Sequence, residues 1–167
     1  MALPAITLLI VLLVMLAETW LSARNERALR SRGAIEPAGD VYRTMRMAYP
    51  LCFVAMAIEG GVRAPAARDT VAAGLVVFAL AKALKAWAIA ALGRRWTFRV
   101  LVVPDAALVA SGPYAFMRHP NYFAVLGELA GMALIVWAPV TGIAALVAFG
   151  ALMLRRIGIE DRALGRK

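Results

Sequence analysis

Two short stretches carry most of the side chains that could do chemistry. The first is SGPYAFMRHPNY, Ser111 to Tyr122. It holds the chain's one histidine, His119, beside Arg118, Asn121, Tyr114 and Tyr122. The second is RRIGIEDRAL, Arg155 to Leu164, with Arg156, Glu160 and Asp161. Pro120 suits the first turn of a helix, where its missing N–H costs nothing and its φ is already helical. A helix that begins between His119 and Asn121 leaves free N–H groups and positive potential at its start. Arg118 and His119 add donors there, and Tyr122 adds an aromatic plane one turn in. Together they describe a pocket for a polar, partly anionic ligand. The plainer alternative is a pair of basic side chains reaching from a span end to water. One histidine and one cysteine, Cys52, lie too far apart in sequence for a usual zinc set, so no metal is expected. No G-x-G-x-x-G follows a strand, and no nucleophile elbow surrounds Ser111.

The elements that must position these stretches read as membrane helices. The chain has 167 residues, the size of one domain spanning 1–167. Apolar residues make up 63% of it and its mean hydropathy is +0.76, above the soluble range. The net charge is +9, but the arginines border apolar runs, which fits lipid headgroups and argues against nucleic acid. Five apolar runs follow one another: Ala2 to Leu21, a weaker one from Tyr42 to Ile58 with Pro50 inside it, Thr70 to Gly93, Tyr122 to Val136, and Val140 to Leu154. The first has its basic cluster after the run, which reads as a retained anchor and not a signal peptide. The last two are joined by Trp137 to Pro139 and read as a tight helical hairpin. Between the third and fourth runs, TFRVLVV and ALVAS read as two short strands around a PDA turn. The fold class expected is an all-α integral membrane protein with about five transmembrane helices, a C-terminal hairpin and a short strand-like insert.

Basic residues set the expected orientation. With the N-terminus outside, fifteen arginines and lysines fall on the inner side, against Arg63 and Arg68 on the outer side. That asymmetry places both chemistry-bearing stretches at the cytosolic face.

SGPYAFMRHPNY, an apolar hairpin and then RRIGIEDRAL resemble the isoprenylcysteine carboxyl methyltransferase family. That family carries a G-P-Y…R-H-P-x-Y stretch and, after a hairpin, an R-x-x-x-E-E-x-x-L stretch. The matching positions are Gly112, Pro113, Tyr114, Arg118, His119, Pro120 and Tyr122, then Arg156, Glu160, Asp161 and Leu164. The resemblance covers residues 94–164. RNERALRSRGAIE, followed by Tyr42, is similar to small bacterial members, some of which methylate long-chain alkylpyrones or alkylresorcinols. There are two departures: Asp161 stands for the second glutamate, and the sequence ends shortly after Leu164, where longer members carry a tyrosine-bearing tail.

The resemblance implies S-adenosylmethionine as cofactor and a bacterial inner membrane as location. It implies that His119, Pro120, Asn121 and Tyr122 line the cofactor. Glu160 would meet its ammonium, and Arg156 its carboxylate or a neighbouring acid. Arg118 and His119 become the catalytic candidates, with Arg118 on the oxygen of a lipophilic acceptor. That acceptor is either an isoprenylcysteine-type carboxylate or a long-chain alkylpyrone or alkylresorcinol; an already ionised oxygen needs no base, whereas a neutral hydroxyl would call on His119. Four charges fall inside the apolar runs: Glu18, Lys82, Lys85 and Glu128. They read either as an internal ion-pair set or as part of the acceptor path. The same four residues support a rival reading, a small non-enzymatic transporter or assembly subunit. That reading leaves the clustering of the two motif stretches on one face unexplained.

Overall fold

The structure, a computed structural model, describes residues 2–104 and 106–164. Five α-helices follow in order: α1 (Ala2–Arg30), α2 (Tyr42–Val62), α3 (Arg68–Leu92), α4 (Pro120–Val136) and α5 (Pro139–Ala163). Two short 3₁₀ turns, Gly93–Arg95 and Gly112–Ala115, punctuate the segment between α3 and α4. Among the described residues, three helical stretches are long and apolar enough to cross a membrane: Ala2–Arg30, Arg68–Arg95 and Pro139–Ala163. Their outer faces expose Leu9, Leu13, Leu80, Val147 and Leu154. A water-soluble surface rarely shows that much contiguous apolar area, so the protein is membrane-embedded.

Helix ends follow local chemistry. Pro120 and Pro139 occupy the first turns of α4 and α5. α3 stops at Gly93, whose φ of 53° is open to glycine at little cost. α4 ends at Trp137, a non-glycine residue in the left-handed region with φ 53°. The α4–α5 hairpin therefore turns where the sequence places it. Its second helix is longer than its apolar run, because α5 continues past Leu154 through Arg155, Arg156, Glu160 and Asp161 to Ala163. The drop in hydropathy at Leu154 marks a change of solvent, with no Pro or Gly pair there to stop the helix. α2 likewise starts at Tyr42 and runs straight through Pro50.

The insert corrects the expected pair of strands. Among the described residues there is no strand, only one antiparallel bridge between Ile35 and Val102. Val102 N–H donates to the Ile35 carbonyl at 3.0 Å and Ile35 N–H donates to the Val102 carbonyl at 2.8 Å. The β-branched run at 100–103 thus pairs with the α1–α2 loop and not across its own turn. Asp105 of that turn lies outside the described residues, as do Arg166 and Lys167 of the basic count.

α4 is the central helix. Leu129 and Met132 are fully buried against Phe53 and Met56 of α2 and Phe149 and Met153 of α5. It meets α3 along a seam of small residues. A Cβ on Gly131 would lie 2.7 Å from the backbone nitrogen of Phe78, and one on Gly127 would lie 2.8 Å from Ala81 Cβ. Close backbone approach of this kind supplies packing where lipid gives no hydrophobic drive. Gly131→Val should force the two helices apart. The expected result is loss of a cooperative thermal transition in detergent, while Gly150→Val, where an added Cβ meets nothing within 4 Å, keeps it.

At the end of the bundle away from the motif stretches, Glu59 of α2 caps α5. Its carboxylate accepts from Thr141 N–H at 2.7 Å and Val140 N–H at 3.2 Å. It also pairs with Arg63 at 2.7 Å. Glu59→Ala should lower stability by about 0.5–2 kcal/mol, the usual value of an N-cap. Thermal unfolding in detergent micelles measures it.

Candidate active site

The hairpin returns the end of α5 to the start of α4, which is how two stretches far apart in sequence meet. Tyr122 donates its hydroxyl to Glu160 Oε2 at 2.7 Å. The His119 ring lies against Tyr122, with centroids 5.4 Å apart and planes 30° from parallel. Carboxylates flank that imidazole: Asp161 Oδ1 is 3.2 Å from Nε2 and Glu160 Oε2 is 3.7 Å from Nδ1. The aspartate in place of the second glutamate is therefore a histidine partner.

These groups line a cavity of about 290 Å³ at this end of the bundle. Of the expected site residues, Arg118, His119, Asn121, Tyr122, Arg156 and Glu160 all border it. Pro120 does not; it is buried at the first helical position and sets the helix start. Asn121 Oδ1 is buried and has no hydrogen-bond partner among the described residues. Arg118 is exposed at the rim, with no ion pair or hydrogen bond to the described residues. Gly112 holds the SGPY turn down on α3. Its φ is 60°, and a Cβ there would sit 2.8 Å from Ala91 Cβ and 3.2 Å from Trp87 Nε1.

Arg156 points elsewhere than its helix neighbour Glu160. It is buried, donates to the Phe98 carbonyl, reaches Met45 Sδ at 3.7 Å and lies 3.7 Å from Asp40 Oδ1. Asp40 also accepts from the Tyr42 and Val100 N–H groups at 3.2 and 3.3 Å. Arg156 is thus the pin that holds two loops, 31–41 and 96–103, over the cavity as a roof. Arg99 reinforces it: its guanidinium reaches Glu36 at 2.6 Å and Glu26 at 3.1 Å and covers the Tyr42 ring at 4.4 Å. Arg30 adds a second contact to Glu36 at 2.8 Å. Partial burial works to raise the Glu36 carboxyl, but the hydrogen bonds from Arg30 and Arg99 win and hold it below its ordinary value. A depressed carboxylate stabilises the fold above its unfolded pKa of about 4.3 and stops doing so as pH falls through the folded value. The Arg30–Glu36–Arg99 contact should therefore hold at neutral pH and weaken as pH falls below the ordinary carboxylate range, read by protease nicking of the 96–103 loop across a pH series.

Sequence reasoning missed Asp40 and Phe98 of the roof, Met45 of α2 against Arg156, and Tyr49 at the deep end of the cavity. Asp40 follows Gly39, at φ 83°, just before α2; that placement is a loop signal and gives no hint of the arginine it meets.

The model of the isoprenylcysteine carboxyl methyltransferase family matches residues 72–166. Uncharacterized protein YpbQ of Bacillus subtilis is 31% identical over 148 residues, 89% of this chain and 88% of that one. An uncharacterized protein of Haemophilus influenzae is 28% identical over 145 residues, 86% of this chain and 84% of its own. No solved structure gives a significant match. The segment matched by the family model runs from α3 to the end of α5 and so contains the whole His119–Tyr122–Glu160 face, and the chain belongs to the isoprenylcysteine carboxyl methyltransferase family.

Proposed function

We propose that this chain is an S-adenosylmethionine-dependent O-methyltransferase acting on a lipophilic acceptor at the membrane. One observation carries the reading: within a family of methyltransferases, a carboxylate fixed by Tyr122 and an unpaired buried Asn121 oxygen face the same cavity at a helix start. The residues present fit the cofactor. Glu160 supplies an anion for an ammonium group. The α4 N-terminus supplies positive potential for a carboxylate. Asn121 Oδ1 accepts an N–H, and the His119 and Tyr122 rings offer an aromatic wall. S-adenosylmethionine, when bound, supplies an electrophilic sulfonium methyl. What remains for the protein is to place an oxygen in line with it and keep water out, and positioning of that kind accounts for much of the rate in such displacements. The roof pinned by Arg156 covers part of the cavity. Arg118, exposed at the rim, is the group we assign to the acceptor oxygen.

Calorimetry of the purified protein with S-adenosylhomocysteine tests the reading, with saturable binding expected. Mass spectrometry of lipophilic acceptors incubated with methyl-labelled cofactor then identifies the product. The transporter reading gains nothing from the intramembrane charges, since all four pair among themselves.

Arg118→Lys should lower turnover far more than cofactor affinity. A planar fork grips two oxygens where an ammonium offers a point charge, and an interaction formed as the methyl moves appears in the rate constant. Turnover that falls only in proportion to cofactor affinity would move the acceptor contact away from Arg118.

The basic asymmetry supports a cytosolic side for this face, in a bacterial inner membrane. In a Cys52→Ala background, Ser111→Cys and Arg162→Cys should resist an impermeant thiol reagent applied to intact cells. Val62→Cys, 82% exposed at the opposite end of the bundle, should react. Labelling of Ser111→Cys and Arg162→Cys on different sides would rule out the topology.

A further inference from the structure

A smaller cavity lies where α1 meets the 3₁₀ turn Gly93–Arg95, and it shares no lining residue with the candidate active site. Its volume is about 170 Å³, and Arg24, Asn25, Ala28 and Arg94 line it. Asn25 is buried there. Its side-chain amide donates to the Gly93 carbonyl at 3.2 Å and to the Trp96 carbonyl at 2.9 Å. Ser22, one turn earlier on α1, accepts the Phe98 N–H at 2.8 Å. These bonds fix the end of α3 against α1, so the backbones that carry Arg24 and Arg94 keep a set spacing. The short side chain of Ala28 leaves the notch between them open.

Arg24 and Arg94 are both exposed, and neither meets a carboxylate among the described residues. Arg30, Arg99 and Arg156, at the same end of the bundle, each do. Arg24 instead touches a ring: its guanidinium carbon lies 5.4 Å from the centroid of Trp20. A ring contact of that kind uses up no hydrogen-bond acceptor, so the N–H fork stays available to a ligand. Two such cations on one notch suit an anion, and the fork matches the oxygens of a phosphate. The surface that leads to the notch is apolar. Leu13, Leu16, Trp20 and Arg24 follow one another on α1 at helical spacing and so share one stripe. Leu13, Leu16 and Trp20 are all exposed. The stripe passes from alkyl side chains through an indole to a guanidinium. A phospholipid passes in the same order from acyl chain through glycerol to phosphate, and tryptophan favours the boundary between them.

We propose that this notch binds the phosphate of an anionic phospholipid, with Arg24 and Arg94 on the phosphate oxygens and the Leu13–Leu16–Trp20 stripe along an acyl chain. The charge selects a head that is anionic overall, because a zwitterionic one brings its own cation toward two guanidinium groups. The stripe selects a lipid over free phosphate, which gains nothing from exposed leucines. Bound there, the lipid bridges α1 and the turn after α3, where the roof loop 96–103 begins. The site stands whether or not the chain is a methyltransferase.

The test reads the tryptophan beside the notch. A Trp87→Phe/Trp137→Phe background leaves Trp20 as the exposed fluorophore, with Trp96 buried. Quenching by phosphatidylglycerol with brominated acyl chains, in mixed micelles, then gives a Kd to compare with that of brominated phosphatidylcholine. Phosphatidylglycerol should bind tighter by about 10-fold or more. Arg24→Gln/Arg94→Gln should weaken it about 30-fold, roughly 5-fold for each basic residue near a lipid surface. Arg43→Gln/Arg155→Gln takes the same charge from exposed positions outside the notch and should stay within about 3-fold of the background, because such charges are screened. Ala28→Phe changes no charge and should weaken binding by filling the notch. Millimolar inorganic phosphate should not displace the lipid. Matched melting curves confirm that the variants are folded. Equal affinity for the two lipids overturns the proposal, and so does unchanged binding in Ala28→Phe. An Arg24/Arg94 variant no weaker than the Arg43/Arg155 one also overturns it, since the attraction is then to surface charge in general. Displacement by inorganic phosphate gives the notch to a free anion and removes the lipid.

Discussion

Glu160→Gln is expected to weaken S-adenosylhomocysteine binding by about 10- to 100-fold, the worth of one charge-assisted hydrogen bond at 1.5–3 kcal/mol. The geometry makes this substitution a clean probe. Glu160 accepts the Tyr122 hydroxyl, and a glutamine oxygen can accept the same bond, so the local packing survives. What disappears is the negative charge. The glutamate side chain is about a quarter exposed, at 27%, on the cavity wall, so that charge faces a ligand and is not spent inside the protein. His119→Ala should also weaken binding, because it removes the ring stacked on Tyr122 and leaves Asp161 without its imidazole contact. Tyr122→Phe should do less, since it removes the hydroxyl and keeps the plane. Calorimetry on detergent-solubilised variants, with matched melting curves as a folding control, gives the three affinities. Wild-type affinity in both Glu160→Gln and His119→Ala, with folding intact, would move the cofactor away from this face.

The face was legible in the sequence because its signals are local. Pro120 fixes a helix start, and the start fixes which way His119, Asn121 and Tyr122 project. The hairpin turn at Trp137 to Pro139 was legible for the same reason, and a hairpin dictates that RRIGIED returns to the level of RHPNY. Glu160 meeting Tyr122 is a consequence of those local facts.

The parts that were misread or missed depend on partners far away in the chain. The run at 97–103 is rich in β-branched residues, which read as a strand, but a strand needs a neighbour. Among the described residues the neighbour it finds is Ile35, for a single bridge. Nothing near Asp40 in sequence announces Arg156, which sits more than a hundred residues later. α5 runs on past its apolar stretch because apolar periodicity reports burial in lipid and does not report helix termination. The intramembrane charges were visible as charges. Their closure into one ring was not, because it requires the relative rotation of α1, α3 and α4, set by glycine seams and core packing.

That ring supplies the second large effect. Glu128→Leu should destabilise the protein by about 3–5 kcal/mol, the cost of leaving a buried charge without its partner. The site is fully buried, and the substitution strands two ammonium groups against the single carboxylate of Glu18. It also leaves the Tyr49 hydroxyl with no acceptor at 2.5 Å, which adds the penalty of an unsatisfied buried donor. Lys82→Leu/Glu128→Leu removes one charge of each sign and restores neutrality around Lys85 and Glu18. It should recover most of the lost stability, because charge imbalance, and not the loss of a favourable pair, dominates the single variant. Melting temperatures in one detergent measure both. For a chain of this length, about 3–5 kcal/mol corresponds to a drop on the order of 10 °C in the single variant, with the double variant within a few degrees of wild type. A double variant as unstable as the single one would show that the ring holds the helices together through its own pairings. Recovery in the double variant would show that the bundle can do without the Lys82–Glu128 pair, and that charge balance sets the cost of the single substitution.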